Sequence, residues 1–293
     1  MTAGHRNPRM GDRRVARRSQ ARAVACRVTI SLRRLVAIAL LCPAIAVAGC
    51  STGSASHAPG NNSSASQAAP APTDAAGLTD LLHRGIATVN TVHLVLNVTA
   101  PNQTINSEGD AKLAGGTLQA LDITEQLGSV GKRRLVIVDN ATYAQVPGAV
   151  NAAGKPWVSV NRDSTNPTVR NLAASLEAVR RSASLDHFSS FAAAAQTVQL
   201  VGKETIDGAP VNHYTVNVDV AKLPESTPGR QALLGAGITM LPIGLYVDDQ
   251  GRPVKATQDL TVQGQHTSTV ITLSKFNAPV SISAPPADQV STT

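Results

Sequence analysis

Aromatic residues and cysteines are scarce: the 293-residue chain has seven of the first and three of the second. The seven rings, Tyr143, Trp157, Phe188, Phe191, Tyr214, Tyr246 and Phe276, are too few to build stacking platforms for bases, and they disfavour sugar binding by ring stacking. Cys26, Cys42 and Cys50 all fall early, so the rest of the chain has no disulfide. Its stability must come from an apolar core, for which about 200 residues are ample.

Basic charge is scarce too, once its distribution is taken into account. The chain holds 26 Lys+Arg against 19 Asp+Glu, a formal charge of +7. Ten of those arginines and only one acid, Asp12, lie in residues 1–49, which leaves 16 basic against 18 acidic residues beyond them. Nothing basic remains to bind a phosphate backbone, so nucleic acid is excluded as a partner.

Catalytic signatures are also missing. There is no G-x-S-x-G elbow, P-loop or H-E-x-x-H. Ser129-Val130-Gly131-Lys132 matches the S-x-x-K of penicillin-recognising enzymes, but it lies in a glycine-rich turn and its companion elements are absent. His57, His83, His93, His187, His213 and His266 have no metal-ligand spacing, and Asp248-Asp249 sits at a turn, where acids serve the backbone. The expectation is a protein without metal or cofactor, and not an enzyme.

What is present begins with Arg33-Arg34, an apolar run from Leu35 to Val47, and Val47-Ala48-Gly49-Cys50. That is the order of a secretory signal: basic region, apolar region of about a dozen residues, small-residue cleavage site. The run is too short to cross a hydrocarbon core that needs about twenty. Ending in cysteine, it resembles a bacterial lipoprotein signal. The resemblance implies cleavage after residue 49, acylation of Cys50, and attachment to the cell membrane on its extracytoplasmic face. Residues 51–73, almost wholly Ser, Ala, Gly, Pro, Asn and Gln, read as a flexible tether reaching roughly 25–30 Å.

A folded domain is expected over residues 74–286, with 287–293 as a tail. A helix begins near Asp74, capped by Thr73, with Leu78, Leu81, Leu82, Ile86 and Val89 at the helical period. Alternating apolar runs then predict strands at 92–98, 103–113, 117–127, 132–139, 141–147 and 156–160. Asn166-Pro167 opens a helix carrying Val169, Leu172, Leu176 and Val179, and Ser184 opens another with Leu185, Phe188 and Phe191. Asp207-Gly208 turns a hairpin between 197–206 and 210–220. A short helix near 228–234 precedes strands at 239–248, 252–263 and 266–276.

These short, turn-linked strands predict an α+β fold: one large curved antiparallel sheet of about ten or eleven strands, a half-barrel whose concave face is covered by helices. Leu94, Leu96, Val216, Val218, Leu241, Ile243, Leu245 and Val247 line that face, opposite Leu172, Leu176, Val179, Phe188 and Phe191. Many covering positions are alanine (Ala173, Ala174, Ala192–Ala195), which either brings helix and sheet close or leaves apolar volume for a ligand. These thirteen residues are the candidate lining of an apolar cavity, with the Pro147–Pro156 and Pro224–Gly237 loops as candidate gates.

From Leu78 to about Pro286 the pattern resembles the mycobacterial LppX/LprG-type lipoproteins, themselves similar in fold to the LolA/LolB carriers. The residues that carry this are Val47–Cys50, Thr91-Val92-His93-Leu94, Ile206-Asp207-Gly208, Leu241–Asp248 and Thr272–Phe276. The resemblance implies an apolar cavity and the binding or transfer of an acylated lipid or glycolipid, with an envelope lipid transporter as a candidate partner and a monomer as the expected state. The alternatives are an envelope interaction or regulatory lipoprotein without lipid cargo, and an enzyme resting on Ser129.

Overall fold

The computed structural model describes residues 70–101, 103–128, 131–145, 154–161, 163, 167–262 and 264–292; a few side chains within its helices and strands, that of Leu172 among them, fall outside the description. Cys50, the tether up to residue 69, Ser129 and most of the Pro147–Pro156 loop also lie outside it.

The chain enters through α1 (Ala75–Ala87). Its cap is Asp74 rather than Thr73: the carboxylate accepts from the Gly77 amide at 2.8 Å, and a negative charge also suits the positive end of the helix dipole. Leu78, Leu82 and Ile86 are buried on one face of it. Six strands follow: β1 (Thr91–Ala100), β2 (Gln103–Ala114), β3 (Thr117–Leu127), β4 (Lys132–Val138), β5 (Ala141–Gln145) and β6 (Trp157–Ser159). Next come α2 (Pro167–Ser182), α3 (Asp186–Ala193), β7 (Ala195–Ile206), β8 (Ala209–Asp219) and α4 (Arg230–Gly235). The chain then forms β9 (Met240–Asp248), β10 (Pro253–Val262), β11 (Gln265–Ser274) and β12 (Val290–Thr292).

All twelve strands form one open sheet in the order β12-β6-β5-β4-β3-β2-β1-β11-β10-β9-β8-β7. The pairs are antiparallel except β6 with β12, which run parallel. β12 lies beyond the sequence expectation because Pro285 and Pro286 precede it; at a sheet margin, one side of the strand needs no partner. The two meanders are joined by β1 and β11, with Leu94 opposite Leu273 and Leu96 opposite Ile271.

One face carries the helices. α1 and α3 pack on each other and on β7, with further contacts to β10 and β8. Val169, Ala173 and Leu176 of α2 join the same buried cluster as Leu121, Leu135, Val216 and Leu245 of the sheet. The other face is polar over much of its area. His93 contacts Asp110 at 2.8 Å, Arg134 reaches Asp122 at 2.7 Å, and His213 contacts Glu204 at 2.7 Å. Asp248 accepts from the Gln250 and Arg252 amides at 3.0 and 2.8 Å, so this acid closes its own turn. The chain after β11 crosses the polar face, where Val280, Ile282 and Val290 cover Ala120, Val136 and Trp157 in a second, smaller cluster.

Candidate functional site

The strand register decides which side chains share the helix-covered face. Side chains alternate along a strand, and directly opposed residues point the same way. One row crosses nine strands: Leu200, Tyr214, Leu245, Ala256, Ile271, Leu96, Ser107, Glu125 and Arg133. Its β7–β10 end lies under the helices; at its β4 end an ion pair replaces hydrocarbon.

The predicted lining residues divide into two groups. Leu176, Phe188, Val216, Val218, Leu241, Ile243, Leu245 and Val247 are all buried in a single cluster and pack on one another. Leu94, Val179 and Phe191 are only partly buried and lie against that cluster. Leu96 is half-buried. Its neighbours in the same phase, Val98 on β1, Ile105 on β2 and Ile271 on β11, are half-buried too. The packed interior thus continues into a partly open apolar strip on the same face. Leu172 and Cys50 fall outside the described side chains. Of the candidate gates, the Pro224–Gly237 segment contains α4, whose Arg230 donates to the Ala221 carbonyl at 3.0 Å.

Three adjacent polar residues occupy one end of this row. Ser107 is 2 % exposed and Glu125 5 %. Arg133 donates through Nε to Glu125 Oε2 at 2.6 Å, and its guanidinium nitrogen Nη2 also meets that oxygen. Ser107 lies opposite Glu125 in the ladder, yet its hydroxyl is buried with no partner among the described residues. Sequence reasoning passed over all three, although alternation could have found them. Glu125 is in phase with Leu121 and Ile123, Arg133 with Leu135 and Ile137, and Ser107 with Ala111: each is a polar side chain where the strand pattern calls for an apolar one.

A second orphan hydroxyl belongs to Tyr214, which is fully buried. Loss of solvent around it pushes its pKa from 10.0 up to about 12. On α3, the His187 ring packs 4.2 Å from that of Phe188 and 5.4 Å from that of Phe191. Desolvation lowers its pKa, partly opposed by a contact with the Ser184 carbonyl and by the Asp186 charge. Among the described residues, no three His, Cys, Asp or Glu side chains gather as a metal site requires.

These features define the class: an open α+β sheet protein with one helix-covered, largely apolar face. Family models and curated proteins give no match to the chain. Solved structures do. The lipoprotein LppX of Mycobacterium tuberculosis aligns at 15% identity over 71% of this chain and 99% of its own, with a TM-score of 0.47. LprF of Mycobacterium bovis aligns at 18% identity over 73% and 99%, with a TM-score of 0.45. The Pseudomonas aeruginosa MucA/MucB complex gives 15% identity over 73% of this chain and 59% of that one, at 0.31. The first two are mycobacterial proteins of the kind that the sequence resembles.

Proposed function

We propose that this protein is a lipoprotein, anchored through acylated Cys50 to the extracytoplasmic face of the cell membrane, that binds an acylated lipid or glycolipid and carries or presents it within the envelope. The observation that carries this reading is the strip Leu94, Leu96, Val98, Ile105 and Ile271, which extends the packed core of the covered face into partial exposure. Each methylene moved from water onto such a surface gains about 0.8 kcal/mol, so an acyl chain needs no polar contact to bind. Val179 and Phe191, half-buried on α2 and α3, are the helix side chains placed to move when a chain enters. Among the described residues no helix is long and apolar enough to cross a membrane, so the acyl group on Cys50 is the attachment this reading relies on.

The reading without lipid cargo has its own support: eight of the thirteen predicted lining residues are filled in by one another. One experiment separates the two. The protein is purified from its membrane, and organic extracts are analysed by mass spectrometry. A stoichiometric acyl lipid, lost when Leu96 and Ile271 are both changed to Gln, supports the carrier. Extracts without bound lipid, from a protein that still folds, favour the interaction module.

A further inference from the structure

The buried polar row of the covered face is the feature that lipid binding by hydrocarbon contact leaves unexplained. A hydroxyl buried without a partner forfeits its bond to water with nothing in exchange, and native structures keep few of them. Ser107 is such a case, and the ladder gives it a defined setting. It stands between Leu96 on β1 and Glu125 on β3, while Glu125 stands between Ser107 and Arg133. Directly opposed side chains have Cβ atoms about 4.5–5.5 Å apart, so Ser107 and Arg133 flank the same carboxylate. Apolar residues bracket the trio. Ile123 and Leu135 lie on its interior side, both buried, and half-buried Ile105 lies on the other.

We infer that Ser107, Glu125 and Arg133 form a polar seat in the apolar face that holds the neutral ester of an acyl lipid. This rests on the lipid-binding reading and specifies which atoms of the lipid are recognised. Charge selects the ligand class. The Glu125 carboxylate already neutralises the Arg133 guanidinium, so an anionic headgroup gains no unpaired cation and meets a carboxylate instead. A neutral carbonyl has no such conflict. It accepts the unused Ser107 hydrogen, while its acyl chain lies along Leu96, Leu94 and Ile271. Because the Ser107 oxygen is enclosed, the ester reaches it only when half-buried Leu96 and Ile105 change rotamer, and the seat therefore opens to a ligand that has already placed its hydrocarbon on the strip.

The test uses the purified, acylated full chain in amphipol, with amphipol alone as the blank. Retention of radiolabelled monopalmitoylglycerol, palmitate and hexadecane is measured separately for wild type, Ser107→Ala, and the double variant Glu125→Leu/Arg133→Leu. The first variant removes an orphan hydroxyl, and the second exchanges an ion pair for hydrocarbon, a change that buried pairs commonly tolerate. Melting temperatures check that both fold. The expected result is that wild type holds monopalmitoylglycerol over palmitate, and that Ser107→Ala weakens the ester about 2–10-fold with hexadecane retention unchanged. The double variant, which keeps Ser107, is expected to retain the preference for ester over hexadecane and to lose the discrimination against palmitate, because the Glu125 carboxylate is gone. If hexadecane and ester both bind but Ser107→Ala changes neither, the seat is refuted and lipid binding stands. A preference for palmitate that disappears in the double variant also refutes it, in favour of an anion site. If no probe is retained above the blank, the lipid reading and the seat fail together.

Discussion

Gly85 of α1 and Gly251 of the β9–β10 turn meet backbone to backbone. A Cβ built on Gly85 would lie 2.1 Å from the Gly251 carbonyl carbon, and one on Gly251, whose φ is +80°, would lie 2.4 Å from the Leu81 carbonyl oxygen. This is how the leading helix comes down on a sheet strand far from it in sequence. Gly85→Ala is expected to destabilise the protein by about 3 kcal/mol, because overpacking against backbone has no flexible atom to move. Gly235→Ala, in α4 with nothing within 4 Å of its Cβ position, is expected to be neutral or to stabilise by up to about 1 kcal/mol. Urea denaturation of both variants measures the contrast.

Tyr214 predicts an alkaline limb. Its folded pKa of about 12 stands above the unfolded value near 10, so the stability it contributes is complete below about pH 10 and is lost as pH rises towards 12. Tyr214→Phe removes both this limb and a buried hydroxyl without a partner, and is expected to melt no lower than wild type at pH 7. Melting curves from pH 8 to 12 show whether the two proteins diverge in that direction.

His187 predicts the opposite sign. Its folded pKa lies below the unfolded 6.5, so the unfolded chain takes up the proton first and stability falls as pH drops below about 6.5. His187→Gln is expected to flatten that decline while leaving the alkaline limb unchanged. Denaturation midpoints between pH 4 and 8 provide the measurement.

Asn277 acts as a clip where the sheet's two meanders meet. At φ +61° its side chain accepts from the Asn90 amide at 2.7 Å and donates to the Thr88 carbonyl at 3.0 Å, while its own amide donates to the Thr91 carbonyl at 2.9 Å. Asn277→Ala loses both side-chain bonds and adds left-handed strain, for an expected loss of about 1–3 kcal/mol. Asn277→Gly keeps the backbone comfortable and should recover part of it, which denaturation of the two variants tests.

Most of the strand map was legible because period-two alternation and turn residues are local signals. Tyr214, Val216 and Val218 are buried and His213 and Thr215 face the other way, as their spacing alone implies. The Asp207-Gly208 hairpin likewise falls where its dipeptide indicates. β12 was not legible, since a three-residue strand has no period and its pairing with β6 is a long-range contact. The Asp74 cap required choosing between two adjacent residues that both cap well. Within the candidate site, the register places Leu96 in one row with Leu245 and Tyr214, but the gradation from enclosed Val247 to half-buried Leu96 depends on where the helices end on the sheet, which no strand encodes. Ser107, Glu125 and Arg133 were visible as breaks in alternation; that they share one row became apparent only with the register.

The parallel pairing of β12 with β6 has a practical outcome for anyone handling this protein. Trp157 begins β6 and lies under Val290 and Ile282, with the Arg134 guanidinium 5.7 Å from its ring, and Lys155 donates to the Val290 carbonyl at 2.9 Å. Trimming the last segment would bare the indole and remove β6 from its outer neighbour. The fluorescence of this single tryptophan therefore reports whether the C-terminal margin is intact, a signal that arises in the smaller cluster on the face away from the helices.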